Sequence, residues 1–189
     1  MKKIRITYNS PVVLGFALVC LIATIAGVMS GGTATGLLFS TYRSSLLNPL
    51  TYLRAFTHVF GHAGWEHLLS NMSFILLLGP ILEEKYGSDR IIGVIVLTAL
   101  ATTFVNAAFF PYSAVCGASG VVFAFIILAS FTNFKEGEIP LTFILVAAIY
   151  LGQQVVEGVL VQDNISQMAH IIGGAVGAYV GYQWNKRKS

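Results

Sequence analysis

The stretch Val115–Phe131, VCGASGVVFAFIILASF, begins with small and polar residues and then becomes almost wholly apolar. Its apolar part is hydrophobic enough to lie inside a lipid bilayer, where a polar side chain is costly and by default indicates function. Ser119 stands between Gly117 and Gly120, where this apolar run begins. A hydroxyl held among the smallest side chains raises the question of which other polar groups meet it there.

The whole chain has the composition of a membrane protein. Of its 189 residues, 56% are hydrophobic and 10% are charged, and the mean hydropathy is +0.76. A soluble domain carries about 25% charged residues, so this chain lacks the polar residues to cover itself in water. The length fits one domain, residues 1–189. The net charge of +3 is too small and too dispersed to indicate nucleic-acid binding.

Six segments are long and apolar enough to cross a bilayer, which takes about 20 residues in a helix. The predicted fold is therefore an all-α polytopic bundle of six transmembrane helices. The predicted helices cover about 11–30, 65–83, 90–110, 117–134, 139–157 and 166–184. The one sizeable connection, 31–64, is half apolar, and we expect it to lie along the membrane interface.

The basic residues predict the orientation of the bundle. Nine of the eleven lysines and arginines flank the predicted helices on one side, and only Arg43 and Arg54 lie on the other. The positive-inside rule assigns the nine to the cytoplasm, and an even number of helices agrees because both termini then share that side. We therefore predict a multi-pass protein of the cell membrane with both termini cytoplasmic. The rival interpretation, a cleaved signal peptide, is less favoured because the apolar run 11–29 is long for one.

Three of the predicted helices carry polar residues near the same end. His67 and Asn71 are four residues apart, so they share a face of the second predicted helix. Ser119 opens the fourth, and His170 lies in the first two turns of the sixth. All three helices run inward from the outer face, and a helix rises about 1.5 Å per residue. The sequence therefore predicts that these four side chains form a site just below the outer surface.

Small residues predict how two of these helices approach each other. Glycines recur at every fourth position of the sixth predicted helix: Gly173, Gly177 and Gly181. Such a ridge permits close backbone contact in membranes. His170 lies on the face of this ridge, so docking of the ridge against the fourth helix would allow a hydrogen bond between His170 and Ser119. Phe123, one turn after Ser119, would then pack against the imidazole.

The residue types indicate nucleophilic catalysis. A serine hydroxyl is a poor nucleophile until a base takes its proton, and histidine is the usual base. The tetrahedral oxyanion then needs preorganised donors, which the backbone N–H of Ser119 and the side chains of His67 and Asn71 can supply. No acidic residue is obviously placed to orient His170: Asp163 lies nearly two turns before it, in a predicted loop, so we predict a Ser–His dyad rather than a triad.

The motifs around these residues resemble those of the rhomboid intramembrane serine proteases, over nearly the whole chain. The family's G-x-S-G motif occurs as GASG at 117–120, and its H-x-x-G-x-x-x-G motif as HIIGGAVG at 170–177. Its H-x-x-x-N motif occurs as HLLSN at 67–71, and its E-x-x-x-G motif as EEKYG at 83–87. The segment RAFTHVFGH at 54–62 is similar to the arginine and histidine pattern of the family's first loop.

The resemblance implies a serine endopeptidase that needs no cofactor and no metal. It makes Ser119 the nucleophile and His170 the general base. His67 and Asn71 are the implied oxyanion stabilisers. The motif glycines are Gly117 and Gly120, and the residues expected to support the site are Phe123, Arg54, His58, His62, Glu83, Gly173 and Gly177. The implied partners are transmembrane protein substrates, cut near the outer end of their helix, and the lipid bilayer.

Two other functions are compatible with parts of this pattern. A catalytically silent relative that binds transmembrane helices would usually lack the serine or the histidine, and both are present. A small transporter would place its polar groups near the membrane midplane, whereas these gather at the outer end. The protease interpretation is therefore favoured.

The supporting residues also have plainer interpretations. His58, His62 and His67 could bind zinc, but no cysteine or carboxylate cluster completes such a site. We expect His58 and His62 to hold the first loop together by hydrogen bonds, and Arg54 to cap loop carbonyls. Glu83 either ties the second helix to a neighbour or marks a solvated helix end.

Overall fold

The computed structural model describes residues 8–132, 139, 141–160 and 164–186, with the backbone alone for 150–151, 153–160 and 164–166. Within these residues the protein is all-helical, and the only β-type pairing is one antiparallel bridge between Thr41 and Val115. The helices are α1 (Pro11–Met29), α2 (Thr33–Leu38), α3 (Pro49–Thr57), α4 (Trp65–Tyr86), α5 (Ser88–Phe109), α6 (Ser119–Ser130), α7 (Leu141–Leu160) and α8 (Asn164–Lys186), with one turn of 3-10 helix (His58–Phe60) after α3.

Helices occupy all six positions that the sequence predicts, as α1 and α4 to α8. Among the described residues, α1, α4 and α5 are long and apolar enough to cross a membrane. The apolar helix α6 has only 12 residues, fewer than a full crossing needs. Three spans are therefore evident from length and hydropathy, and the count of six stays a prediction.

The predicted start of the fourth segment was wrong by two residues. Gly117 has φ +129°, which excludes it from a right-handed helix, and α6 begins at Ser119 rather than at 117. The end also differs, because Phe131 and Thr132 already form a turn after Ser130. The polar Ser119 is thus the first residue of its helix, where backbone N–H groups have no partner within the helix.

The connection 31–64 is more ordered than predicted, since it contains α2, α3 and the 3-10 turn. The signal for α3 lies in the sequence: the Asn48 side chain accepts a hydrogen bond from the Leu50 N–H at 3.0 Å, and Pro49 follows as the first helical residue. Asparagine before a proline is a strong helix start. The connection is therefore a folded segment packed on the bundle.

Helix α6 is the centre of the bundle. Every residue from Gly120 to Leu128 is buried, because α4, α5 and α8 surround it. The glycine ridge of α8 packs directly on it: a methyl group added at Gly173 would overlap the carbonyl oxygen of Gly120, and one at Gly177 would overlap that of Ala124. Backbone therefore touches backbone between α6 and α8, as the spacing of the ridge predicts.

Glu83 joins the end of α4 to the start of α1. Its buried carboxylate accepts hydrogen bonds from the N–H groups of Val12 at 3.0 Å and Val13 at 2.9 Å, and from the Ser88 hydroxyl at 2.7 Å. A negative charge at a helix N-terminus satisfies unpaired N–H groups and favours the helix dipole. The solvated-end interpretation of Glu83 is therefore wrong, and the residue fixes α1 against α4.

Candidate active site

The loop before α6 holds Ser119 in place. The Gly117 N–H donates to the carbonyl oxygen of His58 at 2.9 Å, and Val115 pairs with Thr41 through two backbone hydrogen bonds of 2.9 Å. Both contacts hold residues 115–117, which lead into α6, against the connection 31–64. Ser119 itself is half-buried and is the first residue of α6.

His170 lies against the first turns of α6. Its imidazole stacks on the Phe123 ring with centroids 4.3 Å apart and an interplanar angle of 6°. Phe123 is one turn after Ser119, and the close contact of Gly120 with Gly173 fixes α8 beside it. A face-on stack fixes the orientation of the imidazole plane.

His67 and Asn71 lie beside the turn that precedes Ser119. A methyl group at Gly117 would stand 2.8 Å from His67 Nε2 and 3.8 Å from Asn71 Nδ2. His67 Nδ1 accepts a long hydrogen bond of 3.5 Å from the Ala63 N–H, which leaves the proton of the neutral ring on Nε2. The buried Asn71 Nδ2 has no hydrogen-bond partner among the described residues. Two side-chain donors therefore lie beside Gly117, directly before the start of α6.

Two further histidines form hydrogen bonds within the connection 31–64. His58 Nδ1 bonds the Arg54 carbonyl at 3.2 Å, and His62 Nδ1 bonds that of Phe60 at 3.1 Å. Burial lowers the pKa of each imidazole to about 4, and for His62 the nearby His67 adds to that effect. Both rings are therefore neutral near pH 7 and able to donate to these carbonyls.

The expected partners of Arg54 were wrong. The buried guanidinium donates to the Tyr42 hydroxyl and to the Ser44 hydroxyl at 2.9 Å, and within the described residues no loop carbonyl accepts from it. It also lies 4.2 Å from the centroid of the Tyr42 ring. Arg54 thus fastens segment 42–44 to α3.

The zinc alternative rests on how the histidines are grouped. The rings of His62 and His67 are 5.0 Å apart at 73°, an edge-to-face contact between side chains. Within the described ranges, no group of three or more histidine, cysteine, aspartate or glutamate side chains is arranged to hold a metal ion. Hydrogen bonding accounts for the positions of these rings.

Sequence reasoning missed a polar stripe on α5. Thr98, Thr102 and Asn106 are buried, and the two threonines face α6: a methyl at Gly120 would lie 3.3 Å from Thr98 Cγ2 and 3.6 Å from Thr102 Oγ1. Asn106 Nδ2 donates to the Ser113 carbonyl at 3.1 Å. Polar residues at four-residue spacing in an otherwise apolar helix are a signal that could have found them.

Some residues weighed from the sequence lie outside the described part of the chain. These are Asp163 and six of the basic residues used for orientation, Lys2, Lys3, Arg5, Lys135, Arg187 and Lys188.

Fold and site together define an all-helical membrane protein with a serine, two histidines and an asparagine gathered at one end of its central helix. A family model described as Rhomboid domain matches residues 49–187, and the chain belongs to the rhomboid family. The chain is 30% identical over 158 residues to Rhomboid-related protein 2 of Mus musculus, covering 72% of this chain and 52% of that protein.

Two other relatives match shorter parts. RHOMBOID-like protein 4 of Arabidopsis thaliana is 31% identical over 128 residues, covering 64% of this chain and 31% of its own length. Rhomboid protease GlpG of Salmonella newport is 38% identical over 72 residues, covering 38% of this chain and 25% of its own length. The chain thus spans about half the length, or less, of these curated relatives.

Proposed function

We propose that this chain is an intramembrane serine endopeptidase that hydrolyses peptide bonds in or near transmembrane helices, with Ser119 as nucleophile and His170 as general base. The stack of His170 on Phe123 is the observation that carries the proposal. It holds the imidazole beside the first turn of α6, on the helix that begins with Ser119. A base held rigidly near a helix-terminal serine is the arrangement that nucleophilic catalysis requires.

In the proposed reaction, His170 takes the Ser119 proton as the oxygen attacks the scissile carbonyl. The oxyanion then accepts hydrogen bonds from His67 Nε2, Asn71 Nδ2 and the Ser119 N–H, the last having no acceptor inside α6. His170 returns the proton to the leaving amine, and water hydrolyses the acyl-enzyme by the reverse exchange. The unpartnered, buried Asn71 Nδ2 supports this role, because an orphaned donor is costly unless a ligand uses it.

The proposed substrates are membrane proteins whose transmembrane helix opens near the candidate site. A peptide bond inside an intact helix is shielded, so the substrate must unwind before Ser119 can reach it. The proposal includes six spans, cytoplasmic termini and a site near the outer face of the cell membrane. Membership of a family that includes a protein named as a rhomboid protease supports the activity.

Cleavage of a model transmembrane substrate in liposomes tests this function. We expect the native protein to cut and both Ser119→Ala and His170→Ala to lose activity by at least about 10³-fold. Ser130→Ala is the matched control, because among the described residues that hydroxyl bonds the Ile126 carbonyl of its own helix and lies at the opposite end of α6 from Ser119. A fluorophosphonate probe that labels native protein but not Ser119→Ala reports the nucleophile independently of the substrate.

The outcomes separate the two candidate functions. Retained cleavage by Ser119→Ala refutes the mechanism. Absence of both cleavage and labelling in the folded native protein, with substrate helix still bound, favours the catalytically silent relative.

A further inference from the structure

A groove of about 640 Å³ lies outside the candidate active site, between segment 41–52 and the C-terminal half of α5. We call it the α5 groove. Its volume is that of a small-molecule site, for which about 300–1,000 Å³ is usual. The α5 wall is apolar and includes Leu100, Phe104 and Ala108. The facing wall includes Tyr42, Arg43 and Tyr52.

The apolar wall of the α5 groove opens toward the bilayer. Helix α5 has the length and hydropathy of a membrane-spanning helix. Phe104 is 72% exposed and Leu100 40% exposed, which for a spanning helix means contact with hydrocarbon. The medium outside this wall therefore consists of lipid acyl chains.

The facing wall carries positive charge that the protein does not neutralise. Arg43 lines the groove and is exposed. Arg54 stands behind the wall at 2% exposure, bonded to the wall residues Tyr42 and Ser44, and its Nε has no hydrogen-bond partner among the described residues. Neither guanidinium forms an ion pair with a carboxylate in the described part of the chain. An exposed guanidinium without a carboxylate partner, here that of Arg43, favours a phosphate, which guanidinium groups bind strongly.

We propose that the α5 groove binds one anionic glycerophospholipid of the surrounding bilayer. Its phosphate contacts Arg43, and one acyl chain lies along Leu100 and Phe104. Arg43 and Arg54 are the two basic residues that stand apart from the nine others in the predicted topology, and an anionic lipid compensates their charge. The site is independent of the Ser119–His170 dyad and of the proposed protease function.

Photocrosslinking in vesicles tests the site. The native protein is reconstituted in phosphatidylcholine vesicles that contain a small amount of photoreactive phosphatidylglycerol or, in parallel, photoreactive phosphatidylcholine. After irradiation, the labelled peptides are identified by mass spectrometry. We expect phosphatidylglycerol to label the 41–52 segment and the 100–108 part of α5 in preference to phosphatidylcholine.

Variants separate charge from shape. Arg43→Gln should lower the preference for phosphatidylglycerol about fivefold, the effect of one basic residue near a membrane surface. Arg43→Lys should retain most of it, and Arg90→Gln, at the opposite end of α5, should leave it unchanged. Ala108→Trp, at an exposed lining position, should reduce labelling by both lipids.

Three results overturn the proposal: equal labelling by the two lipids that Arg43→Gln does not alter, no labelling of the groove by either lipid, or cross-linking of the groove to a second copy of the chain. The first makes the groove a non-selective lipid contact. The last makes it a protein interface.

Discussion

Adding one methyl group at Gly173 tests the geometry on which the candidate site depends. The methyl would overlap the carbonyl oxygen of Gly120, which is backbone of the central helix and cannot rotate away. Overpacking of this kind costs about 1–3 kcal/mol, and a rigid neighbour puts Gly173→Ala near the upper end. The overlap can be relieved only if α6 and α8 move apart.

Gly174 provides the matched control. A methyl there meets only Ile127 Cγ1 at 3.7 Å, an ordinary contact. Both changes gain the same helix propensity, about 1 kcal/mol from glycine to alanine, so that term cancels in the comparison. We expect Gly173→Ala to be about 3 kcal/mol less stable than Gly174→Ala in reversible unfolding in detergent.

The same pair of variants also reports on the site. His170 is three residues before Gly173, so separating the helices displaces the imidazole from the start of α6. A displacement of about 1 Å can cost about 10²-fold in rate. We expect that loss in fluorophosphonate labelling of Gly173→Ala and none in Gly174→Ala. Equal stability and equal labelling of the two variants would refute the inference that α6 and α8 touch backbone to backbone.

Three other predictions follow from the described contacts. Glu83→Gln should destabilise the protein by about 1.5–3 kcal/mol in thermal unfolding, because the N–H groups at the start of α1 then donate to a neutral amide instead of a charged carboxylate. Glu84→Gln, at an exposed position, should change the stability little. Burial lowers the pKa of His58 from 6.5 to about 4, so on acidification the unfolded chain takes up this proton at a higher pH than the folded protein does. The contribution of His58 to the free energy of unfolding should therefore fall by about 3 kcal/mol as the pH drops from 6.5 to 4. A free energy of unfolding that stays constant over that pH range contradicts this. Gly117→Ala should lower the free energy of unfolding by about 1–3 kcal/mol and abolish fluorophosphonate labelling, because φ +129° is strained for alanine and the methyl group would overlap His67. Gly93→Ala is the control: its methyl group meets no atom within 4 Å, so labelling should be retained.

Much of the architecture could be predicted from the sequence because its causes are local. A run of about 20 apolar residues predicts a helix wherever it occurs, and helices are found at all six predicted positions. The four-residue spacing of Gly173 and Gly177 defines a small-residue face, and that face packs on α6. Pairing His67 with Asn71 needed only helical periodicity, and both lie beside Gly117.

The tertiary structure decided what depends on partners distant in the chain. The Gly117 N–H donates to the His58 carbonyl, and Gly117 has a positive φ. The helix therefore begins at Ser119 and not at 117. Glu83 finds its partners 70 residues away at the start of α1. The stripe of Thr98 and Thr102 faces α6 only because α5 packs there. Sequence periodicity shows which residues share a face of one helix, but the neighbour that each face meets is set by the close packing of all the helices together.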